Sequence, residues 1–389
     1  MARKGGPGQG RESADAARFP GPMTASQFLR RHWQKRPLLV RGAFPGFTDP
    51  IDARGVLALA ASPDAESRVV RRTGKRWSLE HGPFPPATLS RQPARDWTVL
   101  VQDTNHFSAR AAALLSRFAF IPHARVDDLM VSYATPGGGV GPHVDSYDVF
   151  LVQGMGRRRW QVSRQRDLGI VPGLDLQVLA RFEPENEWVL EPGDMLYLPP
   201  GVAHHGVAET ECLTWSVGFR APSDAELAQA FLDYLGEHLA LAGRYADPGL
   251  RLARAAGRIP DELLAHVART LGRIRWRASD TLEFAGRYLS EPKAHVHFTP
   301  PARALSRARF EAAAARRGIA LDGRTRLLHA RGKFFLNGEP VAARGPCAAW
   351  LRKLADSRTL VTMAGAPAAF RDIAHEWHNR GYLHLGEET

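Results

Sequence analysis

The sequence predicts an α+β protein: a β-rich sandwich or barrel bracketed by helical segments and followed by a winged-helix-like module. Three observations carry this. Between Asp127 and Ala221 short β-rich runs recur (LMVSYA, VFLVQG, RRWQVS, EWVLEPGDMLYLPP, LTWSVGFRA), with TPGGGVGP, EPGD and PPG between them. Many short strands broken by Gly and Pro turns suggest a sandwich or barrel. After Pro222 apolar residues recur at helical spacing, and near the C-terminus helices surround a hairpin signal, Asn337-Gly338, in TRLLHARGKFFLNGEPVAA.

Residues 1–22 are rich in Gly, Arg and Ala and are expected to form a disordered lead-in. They lack the apolar core of about 7–15 residues that marks a secretory signal. Thr24 is placed to cap SQFLRRHWQKR, Pro37 stops that helix, and PLLVRGAF runs on extended. Further helices are expected over 50–62 and 105–118. Beyond the β-rich stretch, Asp224 is the expected cap of AELAQAFLDYLGEHLALAG, a second helix follows Pro260, and a third runs through 279–290. These helices are too apolar to stand alone and need the barrel, one another or a second subunit. A helix over 304–317, the hairpin, the helical stretches CAAWLRKLADSR and AAFRDIAHEWHNRG, and a short strand, YLHL, complete the chain. The expected divisions are 1–22, 23–221, 222–292 and 293–389.

The chain of 389 residues is long enough for two or three domains. It is 44% hydrophobic and 24% charged, an ordinary globular balance, and no apolar run approaches the roughly 18 residues of a membrane span. Cys212 and Cys347 are its only cysteines, which excludes a disulfide framework and fits thiols in a reducing cytoplasm. The net charge of +12, carried mostly by arginine, leaves a polyanionic partner such as RNA open.

The chemistry centres on GGGVGPHVDSYDVF. His143 and Asp145 are two apart, so on a strand they share a face, and a glycine-rich loop precedes them. LPPGVAHHG then offers a second histidine at the mouth of another strand. Adjacent strand residues face opposite ways, so only one of His204 and His205 can join. Counting from the PPG turn selects His204. Two histidines and a carboxylate leave metal positions open, as non-haem Fe(II) oxygenases require. An acidic co-substrate needs a cation, and alternation in GRRRWQV separates Arg158 and Trp160 from Arg157 and Arg159. Arg158 is the candidate for bidentate pairing with a distal carboxylate, and Ser132 can add a hydroxyl. His295 and His297 alternate as well, but no third ligand follows them at a useful distance.

These residues carry a resemblance. DDLMVSYATPGGGVGPHVDSYDVFLVQGMGRRRWQV, LYLPPGVAHHGVA and SVGFRAP resemble the bacterial branch of the JmjC-type ribosomal oxygenases, and FLRRHWQKRPLLVRGAFPG resembles that family's entry segment. The likeness covers roughly residues 20–389, with the most specific motifs between 127 and 221. It implies a double-stranded β-helix core (jelly-roll, cupin-like), a helical dimerisation region and a winged-helix-like C-terminus. It implies Fe(II) on His143, Asp145 and His204, 2-oxoglutarate on Ser132 and Arg158, and dioxygen. The implied reaction couples decarboxylation of 2-oxoglutarate to succinate with hydroxylation of an arginine β-carbon in a large-subunit ribosomal protein, the sixteenth in its series. Asp128, Met130, Tyr147 and Ser216 would grip the substrate arginine. The implied partners are that ribosomal protein and a second copy of the chain, with a weak rRNA contact open. One departure stands out: VAHHG has Ala203 before the ligand histidine and His205 after it, where the family pattern has Pro and an acidic residue.

Rival readings are an oxygenase acting on a histidine of another ribosomal protein or on a small molecule, a demethylase, and a non-enzymatic cupin sensor with a DNA-binding winged helix. Arg158 beside intact iron ligands argues against the sensor, which needs neither an open iron site nor a keto-acid anchor.

Overall fold

A computed structural model describes residues 19–74, 76–252 and 254–386. They cluster into two compact units that meet between Ala221 and Pro222. The lead-in expected over 1–22 lies outside the described residues as far as residue 18. Its end departs from that expectation: Phe19 is buried and stacks on Phe28 with ring centroids 4.6 Å apart.

In the first unit, Thr24 caps α1 (Ala25–Arg31) in a reciprocal capping box with Gln27, and β1 (Leu38–Val40) follows. Asp52 caps α2 (Ala53–Ala60). Residues 63–104, for which patterning set no expectation, form β2 (Ser67–Thr73), β3 (Arg76–His81), α3 (Pro86–Ser90) and β4 (Trp97–Val101). The helix expected over 105–118 is shorter. A 3-10 turn at Thr104–His106 precedes α4 (Ala109–Ser116), which starts only where Ser108 caps it.

Then come β5 (Val126–Ala134), β6 (His143–Val144), β7 (Val149–Gln153), β8 (Arg158–Ser163), β9 (Asn186–Leu190), β10 (Met195–Leu198), β11 (Ala203–Ala208) and β12 (Cys212–Phe219). They build an eight-stranded sheet, β1-β10-β7-β12-β5-β4-β2-β3, and a four-stranded sheet, β6-β11-β8-β9. This is the jelly-roll arrangement, with β2–β4 extending the larger sheet. The largest apolar core includes Phe28, Phe118, Phe150, Tyr197, Trp215 and Phe219. A smaller one, with Leu151, Trp160, Val162 and Leu196, includes residues of both sheets.

The second unit begins with α5 (Asp224–His238). Its cap is Ser223, whose hydroxyl accepts from Glu226 N–H in a capping box; Asp224, the expected cap, is the first helical residue. Next are α6 (Asp261–Leu271) and α7 (Ala278–Ser290). After them lie α8 (Arg307–Arg317), β13 (Ile319–Leu321), β14 (Leu327–Ala330), β15 (Lys333–Leu336) and β16 (Glu339–Val341). The last elements are α9 (Gly345–Ser357), β17 (Thr359–Leu360), α10 (Ala368–Asn379) and β18 (Leu383–Leu385). Asn337 and Gly338 turn β15 into β16, both at positive φ, as a type I′ turn requires.

The boundary expected between 292 and 293 falls inside this unit. On α7, Arg287 reaches the Gly338 carbonyl (3.3 Å) and Glu339 (2.9 Å), and Ser290 Oγ accepts from Gly338 N–H (3.1 Å). α7 therefore packs with the hairpin, and its Phe284 also meets Phe231 of α5 with ring centroids 5.2 Å apart. No helix among the described residues is long and apolar enough to cross a membrane.

Candidate metal and 2-oxoglutarate site

Antiparallel pairing of β6 with β11 sets His143 directly opposite His204. Their rings lie 4.2 Å apart. Asp145 follows β6 by one residue, with Oδ1 3.9 Å from His143 Nε2 and Oδ2 3.6 Å from His204 Nε2. Each histidine directs Nδ1 at a main-chain carbonyl, His143 at Gly141 and His204 at Val202, both at 3.0 Å. A carbonyl only accepts, so Nδ1 carries the proton and the Nε2 lone pair points inward. Burial first, and then neighbouring His143, pushes the His204 pKa down to about 4, which keeps the ring neutral at ordinary pH. Two lone pairs and a carboxylate thus converge with ligand atoms within 4.8 Å of one another, and no hydrogen stands between them. Such a set repels itself unless a cation fills it, and its chemistry suits a divalent iron with positions to spare. His205 packs edge-on to Phe182 at 6.0 Å, away from this set. His295 and His297 join no such group among the described residues.

The triad opens into a cavity of about 430 Å³ whose lining includes Ser132 and Arg158, and also Asp128, Met130, Tyr147 and Ser216. On β8 the burial alternates as the pattern requires: Arg158 and Trp160 are buried and Arg159 is exposed. Arg158 Nη1 donates to Ser132 Oγ at 3.3 Å, and the guanidinium lies 5.6 Å from the centre of the Trp160 ring. Its Nε and Nη2 are buried without a hydrogen-bond partner, as is Trp160 Nε1. A buried guanidinium without a carboxylate is costly, so these orphaned donors fit the distal carboxylate of a dicarboxylic keto acid.

Asp128 is buried on β5 and accepts from Asp103 N–H at 3.4 Å. Sheet register sets Met130 opposite Ser216. A Cβ on Gly218 would lie 3.3 Å from Asp128 Oδ1 and 4.0 Å from Tyr147 Cε2, so both side chains border this glycine. Burial, then Asp145 and Asp128, raises the Tyr147 phenol well above its ordinary pKa and keeps it a neutral donor.

Sequence reasoning missed Arg68. From β2 it lines the same cavity, its Nη2 4.0 Å from Met130 Sδ. Alternation in SRVVRRT sets Arg68 apart from Arg71 but leaves Arg68 and Arg72 on one face. The distinction comes from register, which pairs Arg68 with Leu100 on β4 and Leu100 with Ser132 on β5.

Comparison with known proteins agrees with this geometry. A JmjC domain model matches residues 113–227 and a ROXA-like winged-helix model matches 273–384. The Escherichia coli K12 ribosomal protein uL16 3-hydroxylase is 38% identical over 276 residues, 70% of this chain and 73% of that one. The chain belongs to the bacterial JmjC-type ribosomal oxygenases. A probable ribosomal oxygenase of Haemophilus influenzae is 39% identical over 216 residues, 54% of this chain and 52% of that one. Among solved structures, the E. coli ribosomal oxygenase YcfD in complex with cobalt and 2-oxoglutarate superposes with a TM-score of 0.78 at 31% identity, covering 95% of this chain and all of that one. A cobalt and succinic acid complex of the same protein gives 0.77. Cobalt(II) suits the same nitrogen and oxygen ligands as Fe(II), and succinate is what decarboxylation of 2-oxoglutarate yields.

Proposed function

We propose that this ribosomal oxygenase hydroxylates the β-carbon of an arginine in a large-subunit ribosomal protein of the uL16 type, using Fe(II), 2-oxoglutarate and dioxygen. The observation that carries this reading is the pairing of functions in one cavity. Unsatisfied Arg158 answers an acid co-substrate, and buried Asp128 with neutral Tyr147 answers a cationic side chain. His143, Asp145 and His204 would hold the iron, which supplies dioxygen activation coupled to decarboxylation of 2-oxoglutarate.

The remaining roles belong to the chain. Arg158 and Ser132 fix the far carboxylate and so orient the keto-acid end toward the triad. Trp160, Val149 and Leu151 line the cavity with apolar surface that excludes water from the reacting atoms. Asp128 takes the substrate guanidinium in a charge-assisted fork, Tyr147 and Ser216 offer hydroxyls, and Met130 packs along its methylenes. An acidic fork selects arginine over a neutral histidine or an apolar small molecule.

Two partners extend the proposal. The exposed apolar residues of α5 and α6 suit a second copy of the chain, and the basic charge suits a weak contact with rRNA around the substrate. A ribosomal substrate fits a cytoplasmic enzyme.

The test is incubation of the protein with Fe(II), 2-oxoglutarate and uL16 peptides carrying Arg and His variants, followed by tandem mass spectrometry. One oxygen gained on a single arginine, and lost with Asp145→Ala, is the expected result. Steady 2-oxoglutarate turnover with no peptide modified would overturn the substrate assignment while leaving the oxygenase chemistry in place.

A further inference from the structure

Asp148 is fully buried, yet it neither ligates the metal nor lines the cavity. It follows Tyr147 directly. Tyr197 Oη donates to its Oδ1 at 2.5 Å, and Gln34 Nε2 donates to its Oδ2 at 3.0 Å. Gln34 N–H in turn donates to Tyr197 Oη at 2.7 Å. Arg125 Nη2 lies 3.6 Å from the same carboxylate, stacked over Trp33 at 5.7 Å. Arg125 also donates from Nε to the Arg220 carbonyl at 2.8 Å, and Arg220 Nε lies 3.5 Å from Asp127 Oδ1, the neighbour of Asp128.

Packing alone does not call for this arrangement. Apolar residues of similar volume often replace a buried ion pair at no cost in stability. What the charge adds is direction. The short segment from Asp145 to Asp148 is held at one end by Gly201 N–H, which donates to the Asp145 carbonyl at 2.9 Å. At the other end it is held by the Asp148 carboxylate, and Tyr147 lies between the two anchors. The same carboxylate, through Arg125 and Arg220, holds the start of β5, from which Asp128 projects.

We propose that Asp148 is a positioning residue for the protein substrate: it locks Tyr147 and Asp128 into one wall and, through Gln34 and Trp33, makes the segment after α1 part of the substrate site. This deepens the proposed function and rests on it. Residues 33 and 34 lie outside the stretch matched by the JmjC domain model. The consequence is that substrate affinity, but not metal or co-substrate affinity, depends on a segment far from the iron ligands in sequence.

The experiment uses the full chain with Fe(II) and a uL16 peptide that the wild type hydroxylates, which keeps failure of the proposed function distinct from failure of this inference. Asp148→Asn, Tyr197→Phe and the milder Gln34→Ala are compared. Peptide KM and kcat, 2-oxoglutarate KM, and the anaerobic iron–2-oxoglutarate charge-transfer band are measured for each. Losing a charge-assisted hydrogen bond that orients a binding group is expected to raise peptide KM about tenfold in Asp148→Asn and several-fold in Gln34→Ala. The charge-transfer band and the 2-oxoglutarate KM stay at wild-type values, and more 2-oxoglutarate is consumed without hydroxylation. Two results would overturn the inference. One is a wild-type peptide KM in folded Gln34→Ala and Tyr197→Phe. The other is loss of the band in step with peptide affinity, which would mean that Asp148 acts on the iron ligand instead.

Discussion

At the residue scale, Arg158 carries buried donors that a ligand carboxylate would satisfy. Its guanidinium is buried, one nitrogen meets Ser132, and two have no acceptor. A buried hydrogen bond to a charged group is worth about 1.5–3 kcal/mol, so Arg158→Gln should raise the 2-oxoglutarate KM by roughly 10–100-fold. Ser132→Ala, which removes a neutral partner, should cost only a few-fold. Titration of 2-oxoglutarate with succinate as the readout separates the two; equal small effects would show that the acid binds elsewhere. Most of this site was legible because its residues are marked by periodicity. HxD places two ligands on one face, and alternation separates His204 from His205 and Arg158 from its neighbours. Arg68 was not legible, because its role is set by which strands pair, and pairing is not a property of its own segment.

Elements show the same division. The Asn337-Gly338 turn was readable because both residues tolerate positive φ. Arg331-Gly332 makes the matching turn between β14 and β15, but Arg331 at φ 48° carries no such signature. Strands β2 and β3 were not legible because SRVVRRT does not alternate strictly and RWSLEH has no buried residue. The strand carrying His204 yields a test. A Cβ on Gly206 would come within 2.7 Å of the Trp160 ring, too close for both to stay. Gly206→Ala should therefore destabilise the fold by about 1–3 kcal/mol, through the strain of overpacking. It should also weaken 2-oxoglutarate by moving Trp160 against Arg158; unaltered thermal unfolding and 2-oxoglutarate KM would show that the strand yields freely. In the second unit, burial raises the Asp322 pKa, but hydrogen bonds from His384 and Arg324 outweigh it and hold the carboxyl at about 2, below its ordinary 3.8. A depressed carboxyl stabilises the fold fully above 3.8, and that contribution is lost as pH falls toward 2. Denaturation of the wild type and of Asp322→Asn at falling pH should show a stability gap that is constant near neutrality and closes across that window. A gap independent of pH would assign its origin to packing.

For the whole molecule, the unresolved balance is apolar surface. Helix α6 is amphipathic, yet none of its residues is buried: Leu264, Val267 and Leu271 lie on one stripe and are 51%, 45% and 61% exposed. Leu232 on α5 is 60% exposed, and Trp276 just before α7 is 56% exposed. An isolated helix of this length is marginal in water, so a surface laid against that stripe would add to the stability of α6. The net charge of +12 opposes association between copies, so burial of the apolar stripe has to outweigh that repulsion. A second copy of the chain would supply such a surface by symmetry, each stripe meeting its own equivalent across a twofold axis. The dimer is thus expected to persist at micromolar concentration in sedimentation velocity. Leu264→Asp with Val267→Asp should convert it to monomer, because a carboxylate buried at the axis would face its own copy. Peptide hydroxylation by that monomer would show that the catalytic unit works without the partner, whereas a wild-type protein that sediments as a monomer at every concentration would leave the stripe to a different protein.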